Sequence, residues 1–592
     1  MYKINLKNNI YILLAILLFL PACESFEKFP LDKATEDYVW DVNDATGLIA
    51  EKWVTDMYSQ LPTGYVRLNT TLLECVSDDA VPTVAGNASW NIIRGGYSPM
   101  ATFDDNWTNA YTQFRRANIF LNNYKKVPFG NPDLPKWLEA EVRVIRAFHY
   151  FELLKRYGGV PLIGDKVFEA ADPELFSIQR NTFEEVVDYI VSELDAVTAN
   201  LRPEAPLSSR GAGKGAGNGE DIEAGRIRPT IAMAIKAKTL LYAASPLFNE
   251  KPVDGGNNPL VGYASYNKSR WEKAAKAAKD IIETQLFELE ADRYIFATTR
   301  INKEVIWMRS GINSPQPDYP RYMVPVGYFF QNNDRAQGTV SPTAELVDAF
   351  PMADGSKFDW NNPVHAANPY AGRDPRLDQT VFFNGGRWQR REVETFEGGL
   401  DKPNNTATFP NQTLTGYYCK KHLANDAEKQ WATNVHYHRS VQAPWCIFRY
   451  ADVLLMYAEA SNEFSGPTPE AIGYVRQVRA RAGIQKGAAG NEYGIAGNIT
   501  QSDFRELIRN ERRIEFAFEE QRYWDIRRWR IAEDTYGKTL HGVKITKDSG
   551  TGAFSYERTD VVTPYFSEAM YLYPIALKET QVNPNMQQNP KY

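Results

Sequence analysis

The sequence predicts a mostly α-helical protein, with stacked helical hairpins as a scaffold and a loop-rich region containing a few short strands carried on it. Three observations lead there. Apolar side chains recur at helical spacing in several long segments, glycine and proline breaks end those segments, and the stretch from about 286 to 444 loses the spacing altogether.

The clearest helical segment runs from Trp137 to Tyr157, where Leu138, Val142, Ile145, Phe148 and Phe151 recur at intervals of three and four. Gly158-Gly159 ends it. An apolar stripe rich in alanine and aromatics, followed by a break, returns at Ile231 to Ala244 before Ser245-Pro246 and at Arg449 to Asn462 before Gly466-Pro467. Each has a helical neighbour in sequence: Phe183 to Leu194, Trp271 to Ile282 and Pro469 to Arg481. Small alanines at the crossings with large aromatics between them resemble tetratricopeptide-like hairpins that stack into a solenoid, although no fixed repeat length is visible. The scaffold is assigned mainly to 40–285 and 445–531.

Between 286 and 444, short apolar runs are broken by Gly, Pro, Asn and Asp, as in Pro325 to Phe330 and Asn384 to Trp388. This predicts loops with short strands, the part of a helical frame where binding function tends to lie. Residues 202–225 form a separate insertion with Gly211, Gly213, Gly215, Gly217 and Gly219 at alternate positions, read as a flexible surface loop.

Residues 1–22 have the character of a cleaved export signal, with Lys3 and Lys7 ahead of an apolar run from Ile10 to Leu20 that is too short to span a bilayer. Leu20-Pro21-Ala22-Cys23 then matches the lipobox of bacterial lipoproteins, in which Cys23 is lipidated and becomes the first residue of a single mature domain, 23–592. The acyl chain is the expected membrane attachment. Removing Lys3 and Lys7 from the 67 basic residues leaves 65 against 73 acidic ones, a net charge of −8. An acidic chain argues against a nucleic-acid partner.

Cys75, Cys419 and Cys446 remain in the mature chain, an odd number that predicts no disulfide framework. Cys419, His422, His436 and His438 fall within twenty residues, but their spacing fits no zinc module, so neither metal nor cofactor is expected. No metalloprotease, nucleophile-elbow or phosphate-loop motif appears, so hydrolysis by those routes is unsupported. The charged run from Asn510 to Arg530 places Glu511, Glu515 and Glu519 four residues apart, where they would repel on an isolated helix. They are expected to meet arginines from elsewhere in the fold, and Arg527, Arg528 and Arg530 are expected to serve structure.

Several segments line up in order with one family. They include Cys23, Arg146 to Phe151 with Tyr157 to Leu162, Ser341-Pro342-Thr343, Asp374-Pro375-Arg376-Leu377, Arg449 to Ala460, and Glu511 to Phe516 with Arg522 to Trp529. The set resembles SusD/RagB proteins along essentially the whole mature chain. That resemblance implies a SusD-like fold and a surface-exposed outer-membrane lipoprotein that captures a glycan. It also implies a TonB-dependent, SusC-like transporter over which the lipoprotein lies as a lid. Peptide binding by the same arrangement is the second reading, and a surface glycoside hydrolase the third.

Sugar rings offer a flat C–H face that stacks on aromatic rings, while carboxylates, amides and guanidinium groups take the hydroxyls. On that logic Trp90, Tyr97, Tyr328, Phe329 and Trp388 are the aromatic candidates, with Asp78, Asp79, Asn332 and Arg335 as polar ones. Trp90, between Asn87 and Asn91 and near Gly86 and Gly95-Gly96, is expected on an exposed loop. Trp388, beside Gly385-Gly386, is expected to be exposed for the same reason.

Overall fold

Where apolar residues recur every three or four positions, the chain is helical. A computed structural model describes residues 36–592 apart from 170, 207–224, 292–301, 310–315, 318, 330–333, 389–390, 424–439 and 442–443. The lipobox, Gly211 to Gly219, Asn332, His436 and His438 lie outside the described residues. The main helices are α1 (Leu48–Tyr58), α2 (Trp107–Asn123), α3 (Leu134–Tyr157), α4 (Phe183–Val197), α5 (Pro229–Ala244), α6 (Ser269–Glu283), α7 (Tyr450–Ser465), α8 (Pro469–Ala482), α9 (Gln501–Glu515) and α10 (Gln521–Arg528).

Their ends follow local chemistry. Thr182 and Glu185 form a reciprocal capping box at the start of α4. Helix α3 stops at Gly158, whose φ of 77° favours glycine and where a Cβ would sit 2.3 Å from the Leu260 carbonyl oxygen. The three predicted pairs pack, α3 with α4, α5 with α6 and α7 with α8, and the helices also stack beyond those pairs: α2 on α3, α4 on α5, α6 on α7 and α9 on α7. One continuous core runs through them, with Phe148, Tyr150, Leu241, Val453 and Leu455 all essentially inaccessible.

The loop-rich region has a second core of its own, built from Tyr319, Phe350, Phe382, Trp388, Tyr417 and Tyr418. Among the described residues its strands are short. β1 (Ala80–Pro82) pairs antiparallel with β3 (Val340–Pro342), and β2 (Val305–Arg309) with β4 (Trp445–Arg449). A longer hairpin, β5 (Leu540–Lys547) with β6 (Phe554–Val562), follows the last main helix. It was not anticipated, although Val543 and Ile545 alternate with Lys544 and Thr546 at strand spacing before a turn at Asp548 to Gly550.

Charge, rather than a simple apolar face, fills the seam between the two cores. Arg449 reaches Glu304 at 2.8 Å, Glu515 at 2.6 Å and Glu519 at 2.8 Å, while Arg376 bridges Asp374, Glu511 and Glu515. Arg481 also contacts Glu515, and Arg479 holds Glu511 at 2.8 Å. The three glutamates thus meet arginines from distant stretches, as their spacing required. The run from Asn510 to Arg530 is nevertheless not one helix: it breaks at Phe516 to Glu520, where Phe518 and Glu520 adopt φ of 59° and 60°. The break swings Glu519 onto Arg449. Arg528 and Arg530 pair with Glu459 and Glu568, whereas Arg527 lies 3.5 Å over the Tyr523 ring instead of joining an ion pair among the described residues.

Candidate ligand-binding surface

The ladder of β1 with β3 brings together the two segments from which the candidate residues come. Val81 pairs with Ser341, the Thr83 backbone N–H donates to the Thr339 carbonyl at 3.0 Å, and the Thr83 hydroxyl donates to the Gly338 carbonyl at 2.8 Å. A loop preceding β1 leans on the same place. Val66, Asn69 and Thr70 sit in the left-handed region, with φ of 49°, 49° and 71°. The Asn87 amide donates to the Asn69 carbonyl at 2.9 Å, and the Thr339 hydroxyl donates to the Thr70 carbonyl at 2.6 Å. Three strained non-glycine residues within five positions are held there by tertiary contacts, a pattern that concentrates at functional surfaces. Composition did not single this loop out, although Pro62 and Gly64 stand just before it.

Asp78 and Asp79, at the start of this ladder, are buried. Arg522 forks onto both oxygens of Asp78, at 2.8 and 2.7 Å, and Arg513 holds Asp79 at 2.7 Å. Burial alone would raise the Asp78 carboxyl, but the Arg513 and Arg522 charges outweigh it and push it well below the usual carboxylate range. For Asp79 burial prevails, and the carboxyl is raised.

Trp90 is not on an exposed loop. It lies on the short helix Ser89–Ile93, is 9% exposed, and its indole N–H donates to the Val84 carbonyl at 3.1 Å. Tyr97 is buried with its ring edge-on to Phe103 and Tyr573, and burial pushes its hydroxyl well above the ordinary range. Trp388 is also buried, at 1% exposure, in a two-residue ladder between Arg387–Trp388 and Arg391–Glu392, with ring contacts to Phe382 and Tyr328. The glycines mark turns beside the rings; Tyr97 is covered by Tyr573 and Trp388 by Tyr328, both distant in sequence, while Trp90 is held by its neighbours Val84 and Arg94.

Tyr328, Phe329, Arg335 and Trp388 do come together. Tyr328 stands on Trp388, with ring centroids 5.0 Å apart, and the Arg391 guanidinium caps its other side at 3.7 Å while forking onto Asp401 at 2.7 and 2.8 Å. Phe329 follows, 48% exposed, and its backbone bridges to Arg335. The Arg335 guanidinium lies 3.9 Å from the Phe409 ring centroid and 5.3 Å from that of Phe329, and it donates to the Thr408 carbonyl at 3.1 Å. The arrangement offers an outward apolar ring beside an oriented cation on a rigid base. Sequence reasoning missed Phe409 and Arg391, whose roles depend on contacts across tens of residues.

Cys419 and His422 are buried, and burial lowers His422 to about 4. Among the described residues no group of three or more His, Cys, Asp or Glu is placed to hold a metal ion.

Stacked helical hairpins carrying a loop-built surface define a binding scaffold. The chain belongs to the SusD family: the family's sequence model matches residues 295–592, half of the chain, and a second model, described as starch-binding associating with the outer membrane, matches residues 41–208. It is similar to SusD-like protein P38 of Formosa agariphila, with 22% identity over 532 residues covering 89% of this chain and 92% of that one. A SusD-like protein of Bacteroides fragilis has 27% identity and a TM-score of 0.71, covering 95% of this chain and all of the other. A SusD-like carbohydrate-binding protein from the same organism has 23% identity and a TM-score of 0.71, covering 93% of this chain and all of the other. The mostly α-helical, SusD-like fold expected from the sequence is therefore the fold observed. No helix among the described residues is long and apolar enough to cross a membrane.

Proposed function

We propose that this protein is a non-catalytic, surface-exposed outer-membrane lipoprotein, anchored through Cys23, that binds an oligo- or polysaccharide and passes it to a SusC-like, TonB-dependent transporter. The observation that carries the binding reading is the half-exposed Phe329 ring held beside the clamped Arg335 guanidinium. A ring fixed in that way suits the C–H face of a sugar, and the guanidinium donors suit its oxygens. Family membership and the likeness to a carbohydrate-binding protein of the same fold support it. In this reading Phe329 and Arg335 touch the ligand, while Tyr328, Trp388, Trp90, Tyr97, Asp78 and Asp79 support the surface from beneath.

Calorimetric titration of the wild type and Phe329→Ala with a panel of polysaccharides tests it. The variant is expected to lose about tenfold or more in affinity, the size of a truncated aromatic contact. Unchanged binding by Phe329→Ala places the contact elsewhere. Binding confined to peptides favours the second reading, and new reducing ends in the incubated polysaccharide favour the hydrolase.

A further inference from the structure

We infer that the ligand of this surface is anionic, a glycan bearing carboxylate or sulfate groups, and that Arg335 is the residue that selects it; the inference rests on the carbohydrate reading above. The first observation is an imbalance of partners. Four carboxylates of the two joined segments are engaged: Asp401 by Arg391, Asp334 by Arg321 at 2.9 Å, Asp78 by Arg522 and Asp79 by Arg513. Among the described residues Arg335 has no carboxylate partner, and its one side-chain hydrogen bond goes to the Thr408 carbonyl. Sugar hydroxyls both donate and accept, so a neutral sugar uses carboxylate acceptors as well as donors, and here these four carboxylates are taken while a cation is spare.

The second observation is that this cation is built in. Phe409 and Phe329 flank the guanidinium, so a side chain that is ordinarily mobile is already oriented. A planar fork held in this way meets a carboxylate or sulfate with little further loss of rotamer freedom. Phe329 lies alongside, so one sugar residue can stack its ring while its acidic group reaches Arg335.

A second arginine repeats the pattern on the other segment joined by the ladder. Arg94 rests 5.4 Å over the Trp90 ring and also has no carboxylate partner among the described residues. Both oppose the sign of the whole chain, which is acidic. An anionic ligand approaching such a protein needs a local positive feature of this kind.

Matched polysaccharides separate charge from sugar. Polygalacturonate and its fully methyl-esterified form test the carboxylate, and a sulfated galactan and its desulfated form test the sulfate. The charged member of one pair is expected to bind at least about tenfold more tightly than its neutral partner, and more weakly as salt is raised. Arg335→Gln is expected to abolish that preference with an unchanged melting curve, and Arg335→Lys, which keeps the charge but not the fork, to restore only part of it. Binding of both members of each pair equally, with no effect of Arg335→Gln, overturns the anionic assignment and leaves the carbohydrate reading standing. Binding of none of the four polysaccharides, with peptides bound instead, overturns both.

Discussion

The helical region and the loop-rich region both bury large aromatic side chains, but they decide which ones to bury in different ways. On α3 the cover over Tyr150 comes from the neighbouring helices, Phe114 on α2 and Tyr189 on α4, as helix spacing predicts when residues three and four apart share a face. In the loop-rich region the cover comes from far along the chain. Tyr319 donates to the Lys421 carbonyl across about a hundred residues, and Ser341 meets Thr413 across more than seventy. Local composition therefore reports exposure on the helices and fails to report it in the loops, where pairing at long range sets it.

The largest test of this contrast lies at the seam. Arg449→Ala removes a cation from among Glu304, Glu515 and Glu519 and leaves buried carboxylates unmatched, so stability should fall by about 3–5 kcal/mol or the protein should fail to fold. Denaturant melts measure it. A loss under about 1 kcal/mol would mean that water reaches the seam.

Next come the two tryptophans whose glycine-rich surroundings suggested exposure. Trp388→Ala and Trp90→Ala should each cost about 3–5 kcal/mol as core truncations, with Trp388, the more deeply buried, at the upper end. If either variant melts like the parent, its ring is not part of the core. Phe329→Ala, at an exposed ring on the outside of the second core, should change stability by less than about 0.5 kcal/mol while lowering ligand affinity.

Acid should act on both regions at once. His149, on α3, and His422, in the second core, are each lowered by burial from 6.5 to about 4. Because the folded value lies below the unfolded one, their contribution is present above pH 6.5 and is lost as pH falls toward 4. Glu74 runs the other way. Burial raises it from 4.5 to about 8, so its contribution is full below pH 4.5 and fades as pH climbs to about 8. Thermal melts between pH 7 and 4 should show a decline that His149→Phe makes shallower. An identical slope in that variant would mean that His149 binds no extra proton on unfolding.

Much of the frame was legible. The helix pairs, their glycine and proline stops and the partners owed to Glu511 and Glu515 all follow from spacing, which a helix converts directly into geometry. The turn at Phe518 to Glu520 was not legible, since nothing in the charged run marks a break and the left-handed residues there are not glycines. Nor was the cover over Trp90 and Trp388. Of the candidate surface, Tyr328, Phe329 and Arg335 were picked from composition, yet their joint geometry depends on Arg391, Asp401 and Phe409, which no short pattern connects to them.

The seam has one more consequence, for assembly. An apolar interface tolerates sliding, because one greasy contact replaces another at little cost. A seam of matched charges does not: shifting α9 by a single turn against Arg376 and Arg449 would leave several ions desolvated with no counterpart, each at a cost of several kcal/mol. The two cores can therefore dock in one register only, and the glutamates of α9 act as the teeth of a key that admits the native fit and rejects its near neighbours.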